Sequence, residues 1–251
     1  MIWMIALLLV LAQTASAEEI VAGLSQNNVS ITASFNGSDI LIYGAVKRDA
    51  PAPTGPPLQV IVTIEGPTAP LIVRRKEHVA GIWLNRASVR IDSAPSFYAV
   101  ATTAPLKDIL SDTEDLRNSI SIPRAIRAVG ISAEAANAPA FVAALQRIRM
   151  SEDRYRLDEG SVQLSEATLF RADVELPANL TEGDYTVRIF LTRGGKVVDH
   201  LDHSIGVRKA GLERLLFRMA QDQPLLYGVI SLLMAVVAGW AASAAFRRLR
   251  Y

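Results

Sequence analysis

The sequence has no cysteine among its 251 residues. That absence excludes disulfides, thiolate nucleophiles, Cys-x-x-Cys redox pairs and cysteine-ligated zinc together. Histidine is scarce, with three residues, so imidazole bases and metal ligands have few places to form. Charge of one sign is also missing: Glu18–Lys209 carries 21 Lys+Arg against 23 Asp+Glu, without the net basic surplus that a nucleic-acid-binding domain needs. No Walker A loop, dinucleotide fingerprint or Gly-x-Ser-x-Gly elbow occurs, and no Ser-x-x-Lys stands in a suitable context. No repeat of fixed period is present. No catalytic residue, cofactor or metal ligand is therefore assigned, and the expectation is a protein that is not an enzyme.

What is present begins at the two ends. Residues 1–17 read as a signal peptide, with an apolar run from Ile2 to Ala12 and Ala15-Ser16-Ala17 as an Ala-x-Ala cleavage pattern before Glu18. That run is short for a bilayer span. Residues 225–246 are 22 positions without a charged side chain, roughly 33 Å of helix, which predicts a transmembrane helix over 224–246 with Pro224 in its first turn. Arg247, Arg248 and Arg250 follow it, while Arg208, Lys209, Arg214 and Arg218 precede it, so the positive-inside count is close to a tie. The signal peptide breaks the tie and sends residues 18 to about 210 across the membrane, leaving 247–251 as a cytoplasmic tail. Between domain and span, 210–223 reads as an amphipathic helix with Leu212, Leu215, Leu216 and Met219 on one face. Two dispositions are open for it, in the headgroup layer or packed back on the domain.

The body predicts a mainly β fold, an immunoglobulin-like β-sandwich of one or two sandwiches. The first β-rich part is 18–104. In it "NVSITASF" places Val29, Ile31, Ala33 and Phe35 on one face, Asn36-Gly37 marks a turn, and "DILIYGAV" is apolar on both faces. A proline-rich loop, "DAPAPTGPP", separates these from "LQVIVTIEG", with Val60, Val62 and Ile64 inward, and from "LIVRRKE", "GIWLN", "SVRID" and "SFYAVAT", read as separate short strands. Residues 105–154 read as a helical insertion or linker, with Ser111 and Glu114 as a capping box and Phe141, Leu145 and Ile148 on one helix face. The second β-rich part, 155–209, ends in a hairpin turning at Gly194-Gly195, with Val197, Leu201, Ile205 and Val207 inward on the return strand. Tyr185, after Glu-Gly-Asp, is read as a tyrosine corner.

Few side chains offer chemistry. "HLDH" at 200–203 invites a metal site, but on a strand His200 and His203 point to opposite faces. His78 in "RRKEH" reads as a solvated strand end, and Ser93 and Ser96 as turn residues. The charges of "SEDRYRLDEG" read as a mutually neutralised face. Trp83, Phe97 and Tyr98 are read as core, with a recognition patch as the alternative. In the predicted span, Ala235, Gly239 and Ser243 recur every fourth residue, a small-residue ridge on which another helix can approach closely.

Several stretches, among them "EEIVAGLSQNNVSITASFNGSDILIYGAVKR", "GIWLN", "SAPSFYAVATTAPL", "LPANLTEGDYTVRIFLTR" and "QPLLYGVISLLMAVVAGWAASAAFR", resemble a family of alphaproteobacterial transmembrane proteins with a signal peptide and one C-terminal span. Genes of that family often lie near a sulfite-exporter-like permease, so the resemblance implies a transporter-like integral membrane partner. The functional expectation is a membrane-anchored periplasmic accessory or binding module of the bacterial inner membrane that touches lipid and an integral membrane protein. An envelope hydrolase with an unrecognised site is the alternative.

Overall fold

A computed structural model describes residues 18–32, 35–49, 51, 53–128, 138–209, 219–221 and 223–249. The expected signal peptide and most of the amphipathic segment 210–223 lie outside the described residues.

Twelve strands are present among the described residues, most of them alternating apolar and polar positions. Four form one sheet in the order β1 (Glu18–Leu24), β3 (Ser38–Arg48), β10 (Leu169–Leu176), β9 (Gln163–Ser165). Six form a second, in the order β2 (Asn28–Ile31), β12 (Lys196–Lys209), β11 (Gly183–Arg193), β4 (Leu58–Glu65), β7 (Tyr98–Thr102), β8 (Tyr155–Asp158). Both sheets draw strands from before and after the helical segment, so the two β-rich parts build one sandwich. Among the described residues four helices lie between β7 and β8: α1 (Leu106–Ile109), α2 (Asp112–Asn118), α3 (Ile122–Ala125) and α4 (Ala138–Ser151). The remaining strands, β5 (Thr68–Val79) and β6 (Ile82–Pro95), form a separate two-stranded sheet.

The sandwich core joins Ile40, Ile42 and Val46 of β3 and Phe170, Val174 and Leu176 of β10 to Val60, Val62 and Ile64 of β4 and Val187, Ile189 and Leu191 of β11, all buried. Strand β4 is also buried on its other face. Ile61 there joins Tyr98, Val100 and Phe190 in a second cluster with Ile109, Leu110, Ile120, Ile122, Ile126 and Leu145 of the helical layer and Tyr155 of β8. The six-stranded sheet is therefore covered on both faces, which is why "LQVIVTIE" is almost continuously apolar.

Several expectations change in detail. Phe141 and Leu145 are buried on α4, whereas Ile148 is exposed. Ser111 caps α2 by accepting from the Glu114 amide at 3.4 Å, but the Glu114 carboxylate turns to Arg117 and Asn118 rather than closing the box. The Gly194-Gly195 turn has φ of 57° and 78°, the left-handed pair a two-residue hairpin needs. A bulge beside Leu191/Thr192 then shifts the register, and Val197 packs on the helical cluster while Leu201 pairs with Ile189 on the sandwich side. Ile82–Asn85 of "GIWLN" and the segment "SVRID" belong to one 14-residue strand, β6. In β3, Ile40 and Ile42 are buried but Tyr43 is half exposed on the opposite face. Within "NVSITASF" the strand is limited to Asn28–Ile31, and Ala33 lies outside the described residues.

A separate unit contains the C-terminal helix α5 (Pro224–Leu249).

Candidate interaction surfaces

Helix α5 is apolar on all sides from Pro224 to Ser243. Its Pro224–Ser243 stretch is 20 residues, long and apolar enough to cross a membrane, and 0% of it is buried. Ala235, Gly239 and Ser243 are exposed along it, and a Cβ added at Gly239 would meet no heavy atom within 4 Å. The ridge is thus uncovered among the described residues, and small residues at this spacing are what lets a second helix backbone approach closely in lipid.

The histidines do not converge. His200 stacks on Phe190 on the helical side of its sheet, with ring centroids 6.2 Å apart, and His203 pairs with Val187 on the sandwich side. Asp199, brought inward by the bulge, accepts from the Ile20 amide at 2.8 Å. Among the described residues no three His, Asp or Glu side chains group to hold a metal ion. In "SEDRYRLDEG", Glu152 pairs with Arg149 and Arg154, and Asp158 with Arg156. Ser93 exchanges backbone hydrogen bonds with Arg127, and Ser96 lies against Tyr185 over Gly66. The Tyr185 hydroxyl donates to the Thr181 carbonyl at 2.9 Å.

A family model described as "Putative transmembrane protein (Alph_Pro_TM)" matches residues 19–248. The chain belongs to that family. The matched residues extend from β1 into α5. A comparison with curated proteins finds no match. Among solved structures, the crystal structure of Spo0M, a sporulation control protein from Bacillus subtilis, is 11% identical with a TM-score of 0.28, covering 82% of this chain and 55% of that one.

Three features of this family member escape a sequence reading. The first is a polar clamp between the helical layer and the sheet. Arg188 of β11, its side chain 17% exposed, donates to the carbonyls of Asn118 and Ser119 at 2.8 and 3.1 Å and to the Tyr98 hydroxyl at 3.0 Å. Tyr98 donates onward to the Ile120 carbonyl at 2.9 Å. Burial pushes the Tyr98 hydroxyl up to about 12, so it stays a donor at neutral pH. Glu65, 3.8 Å from Arg188, is raised by burial, against which the Arg188 charge pulls it down.

The second is Glu18, whose side chain is 1% exposed. Its carboxylate accepts from Arg48 of β3 at 2.6 Å and from Arg193 of β11 at 2.8 and 3.0 Å, tying the two sheets together. Burial alone would raise this carboxyl, and the two guanidinium groups outweigh it to hold it below its ordinary 4.5. The third is Trp83. Phe97 and Tyr98 are core, as their strand position predicts, but Trp83 is 67% exposed, edge-on to His78 with ring centroids 5.1 Å apart.

Proposed function

We propose that this protein is a non-enzymatic accessory or binding module held in the bacterial inner membrane by α5, with the sandwich domain periplasmic and the C-terminus cytoplasmic. Its span docks on an integral membrane partner of the transporter type. The observation that carries this reading is the Ala235, Gly239, Ser243 ridge of α5, which no part of the described chain covers. In lipid, helices associate through close packing of small residues rather than through hydrophobic burial, so an open ridge of this kind is where a partner helix fits.

Leucine at both Ala235 and Gly239 fills the ridge without lowering the apolarity of the span. Purification of the tagged full chain from native membranes, before and after this double substitution, tests the reading. The expected result is loss of the co-purifying integral membrane protein with unchanged membrane insertion. Equal recovery of that protein from the variant refutes the ridge as the contact.

A further inference from the structure

The β5–β6 hairpin separates two kinds of surface along its length. Near its base, Val89 and Ile91 are buried, and Leu71 and Val73 pack on the helical cluster. Toward its tip the strands leave the body, and Arg74–Lys76 and Ile82–Arg86 are exposed throughout. The strands turn through Ala80 and Gly81, both at positive φ. Pairing puts His78 opposite Trp83 and Val79 opposite Ile82, with Glu77 opposite Leu84. The apex therefore presents Val79, Ile82 and Leu84 on one face and Trp83 on the other.

Behind this apolar tip stands a concentration of positive charge. Residues 71–91 hold five Lys+Arg against the single acid Glu77, while the rest of Glu18–Lys209 holds sixteen against twenty-two. Glu77 is already engaged by Arg75 at 2.7 Å. Arg74, Lys76, Arg86 and Arg90 make no ion pair among the described residues, and Arg74, Lys76 and Arg90 share one face of the hairpin. A domain that is near neutral in sum is thus a basic arm on an acidic body, and an anionic surface attracts the arm while repelling the remainder.

We propose that this hairpin docks on a bilayer surface carrying anionic phospholipid headgroups. Ile82, Trp83 and Leu84 enter the boundary between headgroups and acyl chains, and Arg74, Lys76, Arg86 and Arg90 lie against the phosphates. A phosphate polymer would be held by the cations alone and gives the exposed aliphatic tip no place. Tryptophan with aliphatic neighbours at an apex and cations a few residues behind matches the layering of a lipid interface. The chain also carries its own span, so a bilayer is always within tether reach. This inference uses none of the α5 ridge and holds whatever α5 contacts.

The absence of cysteine allows a single reporter. Ala80→Cys in the full chain, at a turn position that already carries a side chain with φ of 50°, is labelled with an environment-sensitive fluorophore. The protein is then reconstituted in vesicles of phosphatidylcholine alone or with about 30 mol% phosphatidylglycerol. Expected with the anionic lipid are blue-shifted emission, protection from acrylamide, and quenching by a nitroxide held near the headgroups. The docking equilibrium should fall about fivefold for each of Arg74→Gln and Arg90→Gln, weaken with salt, and vanish with Trp83→Ser and Ile82→Ser combined. These residues are exposed, and an unchanged melting profile confirms that the variants fold. Equal acrylamide access in both vesicle types overturns the proposal, as does a tip that becomes protected only when membrane proteins are added.

Discussion

Replacing Arg188 by methionine should loosen the helical layer from the six-stranded sheet. The substitution keeps an unbranched stem beside Phe190 and deletes the three hydrogen bonds to Asn118, Ser119 and Tyr98. It also leaves Glu65 without its cation. Removing one member of a buried charge cluster costs about 3–5 kcal/mol. For a domain of this size, that corresponds to a fall in melting temperature of roughly 6–20 °C, measured by circular dichroism on the full chain in detergent. The sign of the pH dependence follows from Glu65. Its folded value is raised above 4.5, so its favourable contribution is complete below 4.5 and is lost as pH rises through the folded value. Without Arg188 that value rises further, and the variant should lose more stability at pH 7 than at pH 4. Tyr98→Phe, which removes only the hydroxyl, should cost about 1–2 kcal/mol, and the double variant should lose less than the sum. A fall below about 3 °C for Arg188→Met, or additivity of the two substitutions, would refute the clamp.

Glu18→Gln should destabilise the domain by about 3 kcal/mol at neutral pH, because Arg48 and Arg193 lose a shared buried anion. Since the Glu18 carboxyl is held below 4.5, its contribution is present above that value and lost as pH falls through the folded one. Melting curves of the two proteins should accordingly converge on acidification, and a constant gap would contradict this. Gly44→Ala should cost about 2–3 kcal/mol by overpacking, since its new Cβ would lie 2.5 Å from the Val21 carbonyl and 2.6 Å from the Phe170 ring; an unchanged urea midpoint would show that β1 and β3 can part.

The parts of the fold that were legible in the sequence are those set by local pattern. The mainly β class, the Gly194-Gly195 turn, the Ser111 cap and the apolar span all follow from spacing and residue type within a few positions. What could not be read depends on irregularity or on distant partners. In β6, Arg86 is the unpaired residue of a bulge between Arg75/Lys76 and their partners. It breaks the alternation there, so one long strand reads as two short ones. Trp83 reads as core because aromatics in strands usually are, and only the projection of its hairpin exposes it. Ile61, between the inward-facing Val60 and Val62, gives no local sign of burial, yet helices from a different part of the chain cover it and Phe190. Nothing local marks Arg188 or Glu18, since partners of theirs lie 70 and 175 residues away. For the interaction surfaces, the ridge of α5 is visible as a four-residue spacing, but the basic arm is hidden by a net charge averaged over the domain.

The strand order also sets a timetable. Because β12 lies between β2 and β11, one of the earliest strands cannot take its place in the sheet until one of the last has been made. Pairings this distant in sequence are slow to close, and until β12 arrives β11 keeps an open, apolar edge. Strand β12 ends at Lys209 and α5 begins at Pro224, so the sheet receives its final strand only shortly before the span emerges. Completion of the domain and delivery of the span thus fall close together in the synthesis of the chain.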